Sequence, residues 1–309
     1  MILVTGGAGF IGSHVADRLL ADGHRVAVLD NLRSGSPDNL PQGAEFLPMD
    51  LRDPALPRTL ARLRPEAMVH CAAQIDVRVS CREPVFDAQE NILGTLGLIE
   101  AGLENGLRRF LFASSGGAIY GEAAGPQGED HPECPVNPYG VAKLSVDKYL
   151  HVYAGQRGLA GCSLRFANAY GPRQGAKGEA GVVAVFCRRL ARGLAPAVNG
   201  DGLQTRDFVY VADLAEAVHL ALEREAAGVF NLGTGRETTI LDLARRLCLA
   251  AGADPACIEH RQGIPGEQRR SVLDAAKAGA ALGWRPGTTL DEGLAETWAW
   301  FRSRPGPGQ

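Results

Sequence analysis

The chain has 309 residues, of which 45% are hydrophobic and 22% charged, and its formal net charge is −3. This ordinary globular composition excludes a disordered or coiled-coil chain and leaves room for one large core or two modest ones. Charges of both signs are mixed along the sequence, so no basic stripe suggests nucleic acid or an anionic membrane as partner. The apolar run at residues 1–4 meets a glycine turn at once, and we expect neither a signal peptide nor a membrane span.

The cysteines are odd in number, scattered, and never in the C-x-x-C spacing. This pattern favours reduced thiols over disulfides or a zinc site, so we expect a cytoplasmic protein and predict no metal centre. The seven positions are Cys71, Cys81, Cys134, Cys162, Cys187, Cys248 and Cys257.

Residues 1–165 alternate short apolar runs, such as "RVAVL" and "RFLFA", with longer helical patterns. Strands and helices in alternation predict right-handed crossovers and a parallel sheet covered on both faces. Gly23, Gly102 and Gly106 stand where the helices are expected to end. The predicted fold class is therefore α/β, a Rossmann-type doubly wound parallel sheet forming a cofactor-binding domain.

Beyond Phe166 the pattern loosens into glycine-rich and proline-rich loops with shorter helices. We interpret residues 166–309 mainly as a smaller C-terminal region that binds substrate and covers a cleft. The segment "RDFVYVADLAEAVHLALE", within 205–230, has the strand and helix pattern of the first region, so we expect it to return to that region.

A glycine loop follows the first strand: Gly6, Gly9 and Gly12 have the spacing G-x-x-G-x-x-G and open a helix. Glycines here permit a tight turn and close approach of the backbone to a pyrophosphate, which the helix N-terminus favours. Asp30 ends the second strand 18 residues after Gly12, where its carboxylate can accept hydrogen bonds from both ribose hydroxyls. The acid repels a 2′-phosphate, so the sequence predicts NAD rather than NADP.

Further residues stand at the carboxyl ends of predicted strands, which line the ligand crevice in such sheets. Asp50 and Leu51 follow the third strand, and Ala72 and Ala73 follow the fourth. Small residues there admit a cofactor, although helix packing alone also explains them. Asn91, early in a long predicted helix, either caps a kink, carries a water, or lies on a solvated face.

The catalytic candidates are Tyr139 and Lys143, one helical turn apart in "PYGVAKLS", with Ser114 and Ser115 ending the fifth strand. Residues four apart share a helix face, and a neighbouring cation lowers the pKa of a phenol. A hydroxyl, a phenol and an ammonium that meet beside a nicotinamide supply the base and the donor for reversible alcohol oxidation. The pattern therefore indicates hydride chemistry at a secondary alcohol.

These motifs, together with "LRFANAYGPRQ", "RDFVYVADLAEA" and "FNLGTG", resemble the extended short-chain dehydrogenase/reductases, most closely the UDP-glucose 4-epimerase group. The resemblance implies that Tyr139, as phenolate, removes the proton of the sugar 4-hydroxyl while C4 gives hydride to NAD. The 4-keto sugar then turns over and takes the hydride back on its other face. The cofactor-binding residues so implied are Gly6, Gly9, Phe10, Ile11, Gly12, Asp30, Asn31, Asp50, Leu51, Ala72, Ala73, Gln74, Asn91, Tyr139, Lys143 and Phe166.

For the UDP-sugar, the resemblance implies contacts from Asn168 and Arg206, the arginine pairing with the diphosphate, besides Ser115 and Tyr139. Ser271 stands at the position that resembles the family's pocket-size gate, where a bulky tyrosine would exclude an N-acetyl group. Because a serine leaves room, we expect UDP-N-acetylglucosamine and its galacto epimer to be accepted as well as, or better than, UDP-glucose.

Two positions depart from the family pattern. Counting back from Tyr120, the catalytic hydroxyl position holds Gly116, whereas counting forward from Phe112 it holds Ser115. We assign the proton relay to Ser115, with Ser114 as the second choice.

The second departure concerns the diphosphate. Ile264 stands where many relatives carry an arginine, and Arg261, Arg269 or Arg270 nearby are candidates to replace it.

Other functions remain open at this point. A nucleotide-sugar 4,6-dehydratase needs an acidic pair where Gly116 and Gly117 stand, and a decarboxylase needs a further cationic clamp. A catalytically idle NAD-binding sensor has no need of Tyr139, Lys143 and an upstream serine at these spacings, so their presence disfavours that alternative. The helices around residues 85–104 and 139–157 resemble those that pair between subunits in this family, which implies a homodimer.

Overall fold

The protein was analysed as a computed structural model, which describes residues 1–175, 181–263, 266 and 268–304. Its strands are β1 (Ile2–Thr5), β2 (Val26–Asp30), β3 (Glu45–Pro48), β4 (Ala67–His70), β5 (Arg109–Ser115), β6 (Ala160–Phe166), β7 (Asn168–Tyr170), β8 (Ala197–Asn199), β9 (Thr205–Arg206), β10 (Phe208–Tyr210), β11 (Gly228–Leu232), β12 (Thr238–Thr239), β13 (Glu259–Arg261) and β14 (Arg270–Ser271).

Seven of these strands form the central sheet, in the order β3-β2-β1-β4-β5-β6-β11, and all of its pairs are parallel. The order reverses between β1 and β4, and such a switch leaves a crevice at the carboxyl ends of the strands. The predicted doubly wound α/β fold is confirmed.

The helices are α1 (Phe10–Ala21), α2 (Leu56–Leu63), α3 (Val77–Arg82), α4 (Pro84–Ala88), α5 (Gly94–Glu104), α6 (Gly116–Ile119), α7 (Pro138–Arg157), α8 (Val182–Ala191), α9 (Val211–Glu223), α10 (Ile240–Ala251), α11 (Ala276–Leu282) and α12 (Leu290–Ser303). Apolar residues of α1, α9 and α11 pack on one face of the sheet, and those of α2, α5 and α7 on the other. A third apolar core joins α8, α10 and α12. The central strands are buried on both faces, which explains their continuous apolar runs.

Glycines mark two of the three expected helix ends. Gly23 and Gly106 follow α1 and α5 in the left-handed backbone region, with φ of +84° and +90°. The prediction for Gly102 is wrong, because α5 continues past it to Glu104. A Cβ on Gly102 would lie 2.8 Å from the Leu107 side chain, so close packing accounts for this glycine.

Small sheets outside the central one carry three of the predicted substrate residues, Asn168, Arg206 and Ser271. Strand β7 pairs with β10, β13 pairs with β8, and β9 lies between β12 and β14. In the β9-β14 pair, Arg206 stands directly beside Ser271. In the part of the chain that the structure describes, no helix is both long and apolar enough to cross a membrane.

Candidate active site

A cavity of about 360 Å³ opens at the carboxyl ends of the central strands. It brings together predicted cofactor residues from four separate segments of the chain. Those that line it are Gly6, Gly9, Phe10, Ile11, Gly12, Asp30, Asn31, Asp50, Leu51, Ala72, Ala73 and Gln74.

The glycine loop forms the floor of this cavity and has no room for larger residues. Gly6 has φ of +69°, and a Cβ on Gly12 would lie 2.2 Å from the Gly6 carbonyl oxygen. Helix α1 begins after Gly9 with no side-chain cap. Its first-turn N–H groups therefore form the kind of site that binds a phosphate.

Asp30 lies at the end of β2 and is 6% exposed. Its carboxylate accepts hydrogen bonds from the N–H groups of Ala8, at 3.0 Å, and Leu32, at 2.8 Å. Burial raises the pKa of this carboxyl, although the two N–H donors oppose the shift. A carboxylate accepts about four hydrogen bonds, so capacity remains for ribose hydroxyls. The loop, the cavity and this acid fit a dinucleotide.

Asn91 joins the edge of the cavity to the helix that follows. It lies in a π-helical turn, Gln89–Leu93, between α4 and α5, and it is 4% exposed, so the solvated-face alternative is wrong. Its side chain accepts a hydrogen bond from the Gln74 N–H and donates one to the Gln74 carbonyl, both at 2.9 Å. It also donates to the buried Asp87 carboxylate. The π turn therefore fixes the backbone of Gln74.

A buried histidine, which the sequence analysis missed, continues this network beneath the cavity. The Thr95 hydroxyl donates to the Asn91 carbonyl, so it accepts from His70 Nε2 at 2.9 Å. His70 Nδ1 then accepts from the Thr5 hydroxyl at 2.6 Å. Burial, aided by the Lys143 ammonium, lowers the pKa of His70 to about 3, so the ring is neutral. Only the position of His70 at the end of β4 could have suggested it.

Lys143, one of the catalytic candidates, is buried, with 3% exposure. Its ammonium donates to the Ala113 carbonyl at 2.8 Å and lies 4.5 Å from the Phe112 ring centre and 5.7 Å from that of Tyr139. Burial lowers the pKa of this ammonium to about 8, against the attraction of nearby acidic groups. The acidic groups concerned include the buried Asp147 and Asp87 carboxyls.

The two serines at the end of β5 differ in their surroundings. Ser114 is 4% exposed, and its hydroxyl faces the buried Asp147 carboxyl. Ser115 is partly buried at the point where β5 ends and α6 begins. The arrangement favours Ser115 as the hydroxyl that reaches a substrate.

A second buried network, also missed from sequence, attaches α7 to the sheet. The Arg165 guanidinium donates to Asp147 Oδ2 and to the Tyr120 hydroxyl, each at 2.8 Å, and it also pairs with Glu133. Asp147 lies one turn beyond Lys143 on α7, so the network fixes the helix that carries the catalytic candidates Tyr139 and Lys143. The spacing of Asp147 from Lys143 was the available signal.

The predicted substrate residues meet on the other side of α6. A Cβ built on Gly117 would lie 3.8 Å from Ser271 Oγ and 3.9 Å from Asn168 Oδ1. Phe166 instead packs in the apolar core at 5% exposure, and it stands beside Ser115 in the β5-β6 pair. It does not line the cofactor cavity.

The candidates to replace the missing diphosphate arginine have acidic partners. Arg269 pairs with Asp201 at 3.1 Å, and Arg270 pairs with Glu237. Ile264 lies outside the described residues.

Comparison with known proteins agrees with this geometry. The NAD dependent epimerase/dehydratase family matches residues 2–233. A UDP-glucose 4-epimerase of Thermotoga maritima, solved with UDP-glucose, is 46% identical, covers 98% of both chains and has a TM-score of 0.95. One from Thermus thermophilus, solved with NAD, is 44% identical over 97% of this chain and 98% of that one, with a TM-score of 0.92. A UDP-N-acetylglucosamine 4-epimerase of Methanobrevibacter ruminantium, in complex with UDP-N-acetylmuramic acid, is 33% identical over 98% of both chains, with a TM-score of 0.91.

The chain therefore belongs to the NAD-dependent epimerase/dehydratase family. Within it, the chain falls in the UDP-glucose 4-epimerase group of extended short-chain dehydrogenase/reductases, whose members are isomerases. The predicted family, enzyme class and cofactor, NAD, are confirmed.

Proposed function

We propose that the protein interconverts UDP-hexoses by 4-epimerisation, with C4 oxidised and then reduced on its opposite face. The observation that carries the proposal is the position of Tyr139, Lys143 and Ser115. Lys143 Nζ lies 5.7 Å from the Tyr139 ring centre on α7, and α7 packs against α6, which directly follows Ser115. Gly117 of α6 neighbours Ser271 and Asn168, so the phenol and the ammonium lie on the helix next to the predicted sugar contacts. This arrangement supports oxidation and reduction at one carbon of a sugar.

In this proposal Tyr139 takes the proton from the 4-hydroxyl and later returns it. The Lys143 ammonium favours the phenolate electrostatically, and its burial strengthens this interaction because the local dielectric is low. Ser115 donates a hydrogen bond to the same sugar oxygen. NAD, when bound, accepts the C4 hydride and gives it back.

The cofactor-holding role is assigned to the glycine loop, Asp30 and the Gln74 segment. The proposal divides the chain into a cofactor domain, 1–165 with 205–230, and a region mainly for the substrate, 166–309. Arg206 is assigned to the diphosphate because it stands beside Ser271 in the β9-β14 pair.

A dehydratase activity is disfavoured by the space around Gly116. A Cβ at this position would lie 2.5 Å from Leu273 Cδ1. An acidic side chain, which water elimination requires here, would displace that buried leucine. The glycines at 116 and 117 therefore favour epimerisation.

The proposed substrates include N-acetylated UDP-hexoses. Ser271 is small and 3% exposed, and it faces the same point as Asn168, which leaves space where a larger side chain would block an acetamido group. The similarity to a UDP-N-acetylglucosamine 4-epimerase supports this assignment.

A homodimer is proposed from the exposed apolar side chains around α4 and α7. Val85, Leu93, Val141 and Val152 are between 45% and 70% exposed, and α4 and α7 contact each other. Apolar clusters of this kind mark association surfaces. Light scattering at several concentrations tests it, and a monomeric mass throughout would contradict it. The cytoplasmic location remains a prediction.

An isotope experiment tests the reaction type. UDP-glucose deuterated at C4 should give UDP-galactose that keeps deuterium at C4, because the hydride leaves and returns within one active site. Exchange of the label with solvent would contradict the mechanism. No turnover, with NAD bound and the sugar nucleotide shown to bind, would support the idle sensor instead.

A further inference from the structure

Four metal-ligating side chains converge at the end of α1 that lies farthest from the glycine loop. Asp22 and His24 follow α1, and His219 and Glu223 lie on α9. One nitrogen or oxygen of each lies within 4.8 Å of those of all the others. Since α1 has 12 residues, and is thus about 18 Å long, this cluster is separate from the cofactor cavity.

The local structure explains why the four side chains meet. His219 and Glu223 are four residues apart and so share one face of α9. Asp22 and His24 flank Gly23, whose φ of +84° makes the turn that brings both side chains to that face. Helices α1 and α9 pack closely along their length.

The distances are too long for good hydrogen bonds and suit ligands around one ion. His24 Nε2 lies 3.6 Å from Asp22 Oδ2 and 3.5 Å from Glu223 Oε1, and His219 Nδ1 lies 3.9 Å from the same Asp22 oxygen. Ligands of tetrahedral zinc, with bonds of about 2.0–2.2 Å, stand roughly 3.3 Å apart. The ligand atoms all lie within 4.8 Å of one another, so pairs must approach by up to about 1.5 Å to surround an ion.

A second observation points to a ligand. The His219 side chain is only 8% exposed, and its Nδ1 has no hydrogen-bond partner. His24 Nε2 is likewise buried without a partner. Buried polar atoms are almost always satisfied, so two unsatisfied imidazole nitrogens facing two carboxylates call for an explanation.

We propose that Asp22, His24, His219 and Glu223 bind a divalent transition-metal ion of the zinc type. Two neutral imidazoles and two carboxylates make a closed four-ligand set, as in structural sites. Arg18 lies 3.7 Å from the other Asp22 oxygen and leaves Oδ2 to the ion. The ion joins the end of α1 to α9 and stabilises the helix whose first turn faces the cofactor cavity.

Metal titration of the chelator-treated protein tests this proposal. The Cys257→Ser variant serves as background, because the Cys248 and Cys257 thiols interact and would compete for zinc. Calorimetry with Zn²⁺ should give one ion per chain, and Co²⁺ should give the visible bands of tetrahedral coordination without sulfur. At a Zn²⁺ concentration 100 times Kd, Tm should rise by about 5 °C.

Variants locate the site. His219→Ala and Glu223→Gln should each weaken Zn²⁺ binding, His219→Ala by about 100-fold or more, because loss of an outer-shell partner alone costs about 10–100-fold. His260→Ala, at an exposed histidine on β13, should leave binding unchanged. Glu223 is about half-exposed, so its variant should fold even where His219→Ala does not. Absence of a bound ion in the Cys257→Ser protein, or equal affinity when Glu223→Gln is added to it, would overturn the proposal.

Discussion

The cofactor side and the substrate side of this molecule are built differently. On the cofactor side, functional groups belong to loops anchored by buried hydrogen bonds, such as those of Asn91 to Gln74 and His70 to Thr5. On the substrate side, the arginines near Ser271 lie toward solvent, and Arg269 and Arg270 pair with exposed or partly exposed acids. The difference indicates that the cofactor site is pre-organised, whereas Arg269 and Arg270 could bind a phosphate only by giving up their present ion pairs.

The largest effect is expected at Tyr139, the proposed base between the cofactor side and the substrate side. Tyr139→Phe removes the phenolic oxygen, so the epimerisation rate should fall by about 10³-fold or more, while the variant still binds NAD. Tyr149→Phe, at an exposed tyrosine on the same helix, is the control and should keep full activity. A Tyr139→Phe enzyme within tenfold of the native rate would exclude Tyr139 as the base.

The buried Lys143 ammonium should lower the free energy of unfolding of the protein at neutral pH. In the folded protein burial lowers its pKa from 10.5 to about 8. Between these pH values the unfolded chain binds more protons, so the native free energy of unfolding should rise with pH by about 3 kcal/mol from this group. Below pH 8 the full destabilisation is present.

Lys143→Met removes this group and with it the pH dependence. Urea unfolding of the NAD-free protein should show the variant more stable than the native chain near pH 7, with a difference that narrows toward pH 10.5. Lys148→Met, at an exposed position on α7, is the control and should show the same pH dependence of stability as the native chain. A constant difference between Lys143→Met and the native chain would contradict the shifted pKa.

Gly12→Ala tests the rigidity of the phosphate loop. The added methyl would lie 2.2 Å from the Gly6 carbonyl, so the loop must shift, and we expect NAD affinity to fall by about 100-fold, or about 2.7 kcal/mol. Gly97→Ala on α5, where nothing lies within 4 Å, should bind NAD normally and gain up to about 1 kcal/mol of stability. Fluorescence titration with NADH measures both, and equal affinities would show that the loop adapts.

Ser271→Tyr tests the substrate side and should have the smallest effect. Turnover of UDP-N-acetylglucosamine should fall at least about tenfold relative to that of UDP-glucose, because the ring fills the space for the acetamido group. Ser271→Ala is the matched control and should keep the native ratio. Unchanged turnover of UDP-N-acetylglucosamine in Ser271→Tyr would show that the size of residue 271 does not set the specificity.

The sequence predicted the central sheet and many of the residues that line the cavity, because glycine spacing and strand ends impose local requirements. It could not predict the His70 and Arg165 networks, whose partners come from distant segments and depend on tertiary packing. Phe166 illustrates the same limit, since a strand-end aromatic can face a cofactor or a core, and here it packs in the core. Gly102 was misjudged because close packing, as well as helix termination, requires glycine.

The most direct measurement incubates the purified protein, without added cofactor, separately with UDP-glucose and UDP-N-acetylglucosamine and follows the anomeric protons by NMR. We predict that the galacto isomer appears from both sugars, with NAD carried by the protein, and that initial rates rank the two. If neither sugar gives a new isomer, even after NAD is supplied and its binding is confirmed, the result would contradict 4-epimerisation of these substrates.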